Sequence, residues 1–410
     1  MKAVGVIVEY NPFHNGHKFH LEQAKVISGS EIVICVMSGN FLQRGEPALV
    51  SKWNRTEMAL LAGADLVFEL PYRFATQNAD IFANGAVSLL EASGCDSICF
   101  GSESGDIEAF INTLDFLEKH DAEFQQQVKE QISLGVSYPK AAALSFKKLS
   151  PEQDSDLLDL SKPNNILGLQ YVSAIRKQKS GMTPITIARK SAEYHDENFA
   201  SETIASATSI RKSLFSNHGS PENIRPFMPQ SSFELLEKYK QQFGCFHSWE
   251  NYWPLLKYKL LQTSPEEMRN IHGVEEGLEH RLVSTALESD TFLAFMERVK
   301  TKRYTWTRLQ RACLHILMNV KKAEMEDAQK SSYLRLLGMT NKGREYLQKE
   351  KKNLGLPLVS KTSANQRELE LDIRASSIYS LGLQGREQRM LMKMEYSQPP
   401  IMIGANKKTS

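Results

Sequence analysis

Two histidines three residues apart, His14 and His17, stand with Asn15 and Gly16 between them directly after the first apolar run of the chain. Imidazoles are directional hydrogen-bond donors, and a helix that begins at such a site adds free backbone N–H groups. That combination suits transfer of a nucleotide through its α-phosphate, where negative charge must be stabilised on that phosphate and on departing pyrophosphate. A spacing of three places both rings on one helical face. Gly16 removes a side chain where a nucleotide would approach the backbone, and Pro12 fixes how the chain leaves the preceding strand. Composition alone would produce H-x-G-H on the order of 0.01 times in such a chain, so chance pairing explains it poorly.

A second candidate lies far along the chain, at Ser206-Ala207-Thr208-Ser209-Ile210-Arg211. Ser206 or Thr208 can cap a helix, and the forked guanidinium of Arg211 can reach β- and γ-phosphates. The string resembles the S-x-T-x-I-R signature of small HIGH-type nucleotidyltransferases.

The elements that must position these residues are legible as alternation. Apolar, β-branched runs at 3–9, 31–37, 66–70, 97–100 and 184–188 read as strands. Helical stretches at 18–26, 54–62, 80–92 and 166–179 fall between them, as does a polar helical region at 106–150 interrupted at Tyr138-Pro139. Such alternation predicts right-handed βαβ units and a parallel, Rossmann-like α/β sheet. The histidine pair then sits at the first β-to-α turn, where these folds bind phosphates. Residues 151–159 read as an acidic loop or helix start. After Arg211, Pro221, Pro226 and Pro229 mark a linker, and helical periodicity dominates with few strand candidates. The expected organisation is a nucleotide-binding domain over 1–228 and a helical domain over 229–410, with 397–410 a frayed tail.

Net charge is +2, but it is unevenly spread: residues 1–230 hold 21 basic and 27 acidic side chains, the remainder 29 and 21. A basic second half suggests a polyanionic partner. Lys302, Arg303, Arg308 and Arg311 are interleaved with Tyr304 and Trp306, a pattern that can neutralise phosphates and stack unpaired bases. Lys342, Arg344, Lys349, Lys351 and Lys352 form a second basic cluster. The five cysteines are scattered, and Cys95 and Cys99 lack a second pair at zinc spacing, so they read as structural thiols. The opening apolar run is too short for a signal peptide, and no segment approaches the roughly 20 apolar residues of a membrane span; the expected location is cytoplasmic.

The strings NPFHNGH (11–17), MSGNFLQRGEPA (37–48), GADLVFELP (63–71) and PNNILGLQY (163–171) closely resemble the tRNA(Met) cytidine acetate ligase family. EGLEHRL (276–282) and KRYTWTRLQR (302–311) extend the resemblance over nearly the whole chain. It implies that acetate and ATP give acetyl-adenylate, which acetylates N4 of the wobble cytidine of elongator tRNA(Met). It also implies an ATP site over Ile7, Val8, Glu9 and Tyr10 at the strand's end, Asn11, Pro12 and Phe13 in the turn, and His14, Asn15, Gly16, His17, Lys18, Phe19 and His20 beyond it. Gly101, Asn164 and Arg189 would join them, with Lys190 a weaker candidate. His14, His17 and Arg211 would stabilise phosphate charge, and Lys302, Arg303, Trp306, Arg308 and Arg311 would meet tRNA. Mg²⁺ is expected to accompany ATP, without a dedicated protein metal cluster. The loop 38–48, with Gly39, Asn40, Gln43, Arg44 and Gly45, is placed to form a lid over the acyl-phosphate pocket, and Lys52 and Arg55 follow it. Two other readings stay open from the residues: an enzyme joining AMP to a phosphorylated cofactor precursor, and an RNA-binding or assembly protein without catalysis.

Overall fold

A computed structural model describes residues 1–150, 156–189, 203–216, 220–275, 277–326, 330–362 and 366–404. Over those residues its frame is an eight-stranded sheet. β1 (Ala3–Val8), β2 (Ile32–Ser38), β3 (Leu66–Leu70), β4 (Ser97–Ser102) and β5 (Thr183–Ala188) run parallel in the order β5-β4-β1-β2-β3. All residues of β2 and β3 are buried, as parallel strands covered on both faces must be. The period of two is explicit in β2. Val33, Cys35 and Met37 enter one hydrophobic core, and Ile32, Ile34 and Val36 the other. Helices Asn15–Ser28 and Lys52–Leu61 cover the first face, and Ala79–Ala92 and Pro163–Gln178 the second.

The order of strands reverses at β1: the chain proceeds outward through β2 and β3, then returns to add β4 and β5 on the other side. The crevice at the carboxyl ends of β1 and β4 is thus the switch point where such sheets bind ligands. Tyr138-Pro139, expected to interrupt the helical region, instead opens the helix Tyr138–Leu149. A proline in the first turn sacrifices no internal hydrogen bond.

The second half differs from expectation in three respects. It contributes strands: β6 (Leu334–Thr340) runs antiparallel beside β3, and β7 (Leu358–Val359) and β8 (Ile401–Ile403) pair with β6. Within the predicted tail, Ser397 ends a helix and Ile401–Ile403 form a strand, while 405–410 lie outside the described residues. Residue 228 also does not divide two separate cores. Leu256, Leu282, Phe295 and Leu314 of the helical region share one cluster with Val33, Met37 and Val67 of the sheet. Finally, a buried ionic network crosses that position. Lys52 Nζ lies 2.8 Å from Glu69 and 2.9 Å from Glu395, and Arg335 lies 3.1 Å from Glu69 and 2.6 Å from Glu395. Lys52, expected near the lid, belongs to this network and is fully buried.

Candidate active site

The turn from β1 into helix Asn15–Ser28 is held by the histidines themselves. His14 is the N-cap in extended backbone, and its Nδ1 accepts the Gly16 N–H at 3.1 Å. His17, in the first turn, accepts the His14 N–H at its own Nδ1, 3.3 Å away. The pair thus forms a reciprocal capping box with imidazoles in place of hydroxyl and carboxyl. An Nδ1 that accepts carries no proton, so each neutral ring bears its proton on Nε2. The rings stack with centroids 3.7 Å apart. Two neighbouring imidazoles therefore present neutral donors, and burial explains why they stay neutral. His14 is lowered to about 3 by desolvation, then by Arg189 and Arg211. His17 is lowered well below the usual range by desolvation, His14, Arg189 and His20. The structure revises the reason for Gly16: a Cβ there would lie 2.9 Å from His14 Cε1, so the glycine makes room for the capping ring.

The helix Ala207–Phe215 points its N-terminus into the same space. Ser206 caps it, accepting the Ser209 N–H at 3.0 Å, and Thr208 stands exposed in the first turn. Arg211 is fixed by donating to the Asn11 carbonyl at 2.8 Å and to Glu46 Oε2 at 3.2 Å. Two helix N-termini and one tethered guanidinium converge, which is a ready anion site.

They line a cavity of about 320 Å³ at the switch point. Of the residues expected in the nucleotide site, Ile7, Val8, Glu9, Tyr10, Asn11, His14, Gly16, His17, Phe19, His20, Gly101, Asn164, Arg189, Ser206, Thr208 and Arg211 line it. Pro12, Phe13, Asn15 and Lys18 do not. Phe13 is a core residue packed edge-on against Tyr10, and Asn15 Nδ2 ties the helix start to the carbonyls of Thr203 and Pro226. Lys18 is exposed and faces Glu22 one turn on. Asn164 is engaged by Glu103, to whose Oε1 its Nδ2 donates at 2.7 Å. Lys190 lies outside the described residues. Sequence reasoning gave no role to Glu46, Phe82, Phe100, Leu167, Tyr171 or Ile187, which also line the cavity. Tyr171 and Glu46 fall inside the quoted strings 163–171 and 37–48, so those strings carried a signal that residue chemistry alone did not.

The loop 38–48 is a wall of the cavity, with Gln43, Arg44 and Glu46 facing inward. Its other side is packed: Phe41 and Leu42 are buried, and Trp249 Nε1 donates to the Gly45 carbonyl at 3.0 Å. Arg55, expected beside the lid, is a fully buried anchor. It donates to the carbonyls of Glu9 at 2.7 Å and Ser38 at 3.0 Å, and also to that of Gly39. Gly45 adopts φ of 78°, and a Cβ there would meet the Arg311 backbone at 2.7 Å. The helix Trp306–Met318 thus lies directly behind the wall.

The residues expected to meet tRNA divide on that helix. Lys302 and Arg303 are exposed just before it. Arg308 pairs with Glu275, and Arg311 donates to the Gln43 carbonyl at 3.3 Å. Trp306 is half-buried with its Nε1–H on Gln310, and Tyr304 is buried beneath the guanidinium groups of Arg303 and Arg308. The Tyr304 ring is therefore committed to packing and not presented for base stacking. No group of three His, Cys, Asp or Glu side chains that could hold a metal occurs among the described residues. No helix among them is long and apolar enough to cross a membrane. The cysteines are free, and burial raises Cys35, Cys95, Cys99 and Cys313 to about 12.

The family model HIGH Nucleotidyl Transferase matches residues 1–394. A tRNA(Met) cytidine acetate ligase of Geobacillus sp. (strain WCH70) is 49% identical over 98% of this chain and all of its own length. That of Bacillus subtilis (strain 168) is 48% identical, covering 98% of this chain and 97% of its own. This chain belongs to the tRNA(Met) cytidine acetate ligase family. Family membership extends to the fold. Thermotoga maritima TmcAL in its apo form superposes with a TM-score of 0.91 at 36% identity, covering 98% of this chain and all of that one. The same protein bound with alpha-thio ATP gives 0.89 at 35% identity, with the same coverage.

Proposed function

We propose that this chain activates acetate with ATP to acetyl-adenylate and acetylates N4 of the wobble cytidine, C34, of elongator tRNA(Met). The observation that carries the reading is the stacked pair of neutral, Nε2-donating histidines beside Arg211, at the switch-point cavity of a chain that matches ligases of this name end to end. In the first step a carboxylate oxygen of acetate attacks the α-phosphorus in line. His14, His17, Arg211 and the N-termini of helices Asn15–Ser28 and Ala207–Phe215 hold charge on the phosphates. Positioning and preorganised electrostatics supply most of the catalysis. Cytidine N4 is a weak nucleophile because its lone pair is delocalised into the ring, and a mixed anhydride is an acyl donor matched to it.

Mg²⁺ would arrive on the phosphates, which suits an ion that keeps water and substrate oxygens among its ligands. The exposed Lys302 and Arg303, with the helix behind the 38–48 wall, form the face we assign to tRNA, and the helical region after residue 228 carries it. A tRNA substrate supports assigning the protein to the cytoplasm. The test is incubation with acetate, ATP and bulk tRNA, followed by mass spectrometry of nucleosides. Acetylcytidine is the expected product. Its absence, together with absence of acetate-dependent ATP–pyrophosphate exchange, would remove this reading; adenylylation of a mononucleotide or of phosphopantetheine in parallel assays would replace it.

A further inference from the structure

Acetyl transfer to cytidine needs a base that the histidine pair does not provide, because both rings already use Nδ1 as acceptor and carry hydrogen on Nε2. We propose that the carboxylate of Glu9 takes the N4 proton of the target cytidine during acetyl transfer. The proposal rests on the acetyl-adenylate reading above and adds a residue to it.

Glu9 is the first residue beyond β1, immediately before the turn that delivers His14, and its side chain lines the cavity. Its position is fixed from both ends. The Gln43 N–H donates to Glu9 Oε1 at 2.7 Å, and Arg55 Nη1 donates to the Glu9 carbonyl at 2.7 Å. The other carboxylate among the lining residues, Glu46, is engaged by Arg211 at 3.2 Å. His20 is lowered to about 4, chiefly by burial and then by Arg189 just beyond β5, which makes it a weaker proton acceptor than an ordinary imidazole. Glu9 is therefore a carboxylate oriented through one oxygen, in a site otherwise furnished with donors.

Its electrostatic surroundings suit a base. Burial raises the Glu9 carboxyl above the ordinary range, and Glu46 raises it further. The Gln43 N–H, Arg44 and Arg55 lower it, and Tyr171 faces it from the helix Pro163–Gln178. The net direction is upward, toward the working pH, where a general base is most effective.

The chemistry balances. The N4 lone pair attacks the acetyl carbonyl carbon, the N4–C bond forms, and the C–O bond to the α-phosphate breaks with its electron pair on AMP. One N4 proton passes to Glu9 and from there to solvent. No proton leaves acetate during adenylate formation, so the first step asks no proton transfer of Glu9. That asymmetry is what separates this role from a structural one.

The test is Glu9→Gln, whose amide oxygen can still accept the Gln43 N–H. Acetate-dependent ATP–pyrophosphate exchange and single-turnover formation of acetylcytidine are measured side by side, the latter by pH jump between pH 4.5 and 8. Glu9 lines the nucleotide cavity, so exchange can itself fall, but transfer should fall about 10²–10⁴-fold further than exchange does. Wild-type transfer should rise with pH through an acid limb and then level. That limb should vanish in Glu9→Gln and persist, at lower rate, in Glu9→Asp. Transfer at the wild-type rate in Glu9→Gln, an equal fall in both half-reactions, or a wild-type or Glu9→Asp profile without an acid limb would each overturn the assignment. If the wild-type protein makes no acetylcytidine at all, the reading beneath is lost instead.

Discussion

His14 performs two separable tasks, capping a helix with Nδ1 and presenting Nε2–H to the cavity. Asparagine is also a strong N-cap, and can do the first without the second. His14→Asn should therefore keep the fold, with stability within about 1 kcal/mol, while acetate-dependent pyrophosphate exchange falls about 10²–10³-fold. Exchange at wild-type rate in a folded variant would remove the ring from the chemistry. The depressed histidines also carry a cost in acid. His14 is lowered to about 3, His20 to about 4 and His247 to about 3, each chiefly by burial. An unfolded imidazole takes its proton near pH 6.5. Between there and the folded value, the unfolded chain binds the proton and the native one does not. Stability from each is complete above about pH 6.5 and drains as pH falls, by about 1.4 kcal/mol per unit per imidazole. His20 Nε2 is buried with no hydrogen-bond partner among the described residues, so it can be exchanged with little loss of bonding. His20→Gln should flatten the fall in unfolding free energy between pH 6 and pH 5 by about that amount. Equal slopes in urea titrations of the two proteins would count against a neutral buried His20.

Elements were legible in the sequence in proportion to how far their own residues explain them. β2 is a seven-residue apolar run with β-branched members, and burial on both faces is what such a run needs. Its neighbours β1, β3, β4 and β5 read the same way, and with them the turn that bears the histidines. β6 was missed because LRLLGMT suits a helix as well as a strand; the free edge of β3 makes it a strand. β8 follows a proline pair and is three residues long, so only pairing with β6 distinguishes it from a tail. The cavity was read from charge and motif, which is why Tyr171, Phe82 and Phe100, whose contribution is shape, went unassigned. Arg55 and Lys52 read only as cations following the 38–48 loop, because burial among carbonyls and carboxylates cannot be seen in one dimension. The helix Trp306–Met318 shows the same limit: its cations have different partners despite their spacing. Lys302 and Arg303 are exposed, whereas Arg308 is paired with Glu275 and Arg311 is bonded to the cavity wall. Lys302→Ala and Arg303→Ala should each weaken tRNA binding and reduce the salt slope of log K by about 1, with exchange on acetate unchanged. Unaltered slopes in filter binding from 50 to 200 mM salt would move the tRNA face elsewhere.

At the scale of the molecule, charge separates the chain into an acidic and a basic part, but packing does not. The sheet passes from β3 to β6, the network of Lys52, Glu69, Arg335 and Glu395 takes two members from each part, and one core cluster spans both. Paired buried charges are tolerable together and costly apart, since loss of one partner leaves another desolvated. Charge segregation here is then a property of surfaces laid over a shared interior, so the face we assign to tRNA would lie one helix behind the cavity wall and not across a linker. Two consequences follow that a bead-on-string arrangement would not give. Arg335→Met, which leaves both carboxylates to Lys52 alone, should destabilise the whole protein by about 3–5 kcal/mol, including the distant nucleotide site. A fragment ending at residue 228 should fail to fold, because β3 would expose its edge and half of the first core would be missing. Thermal and denaturant unfolding of the full chain should accordingly show a single transition by circular dichroism, with ATP protection lost in the same step. A fragment 1–228 that unfolds cooperatively and is stabilised by ATP would restore two independent domains.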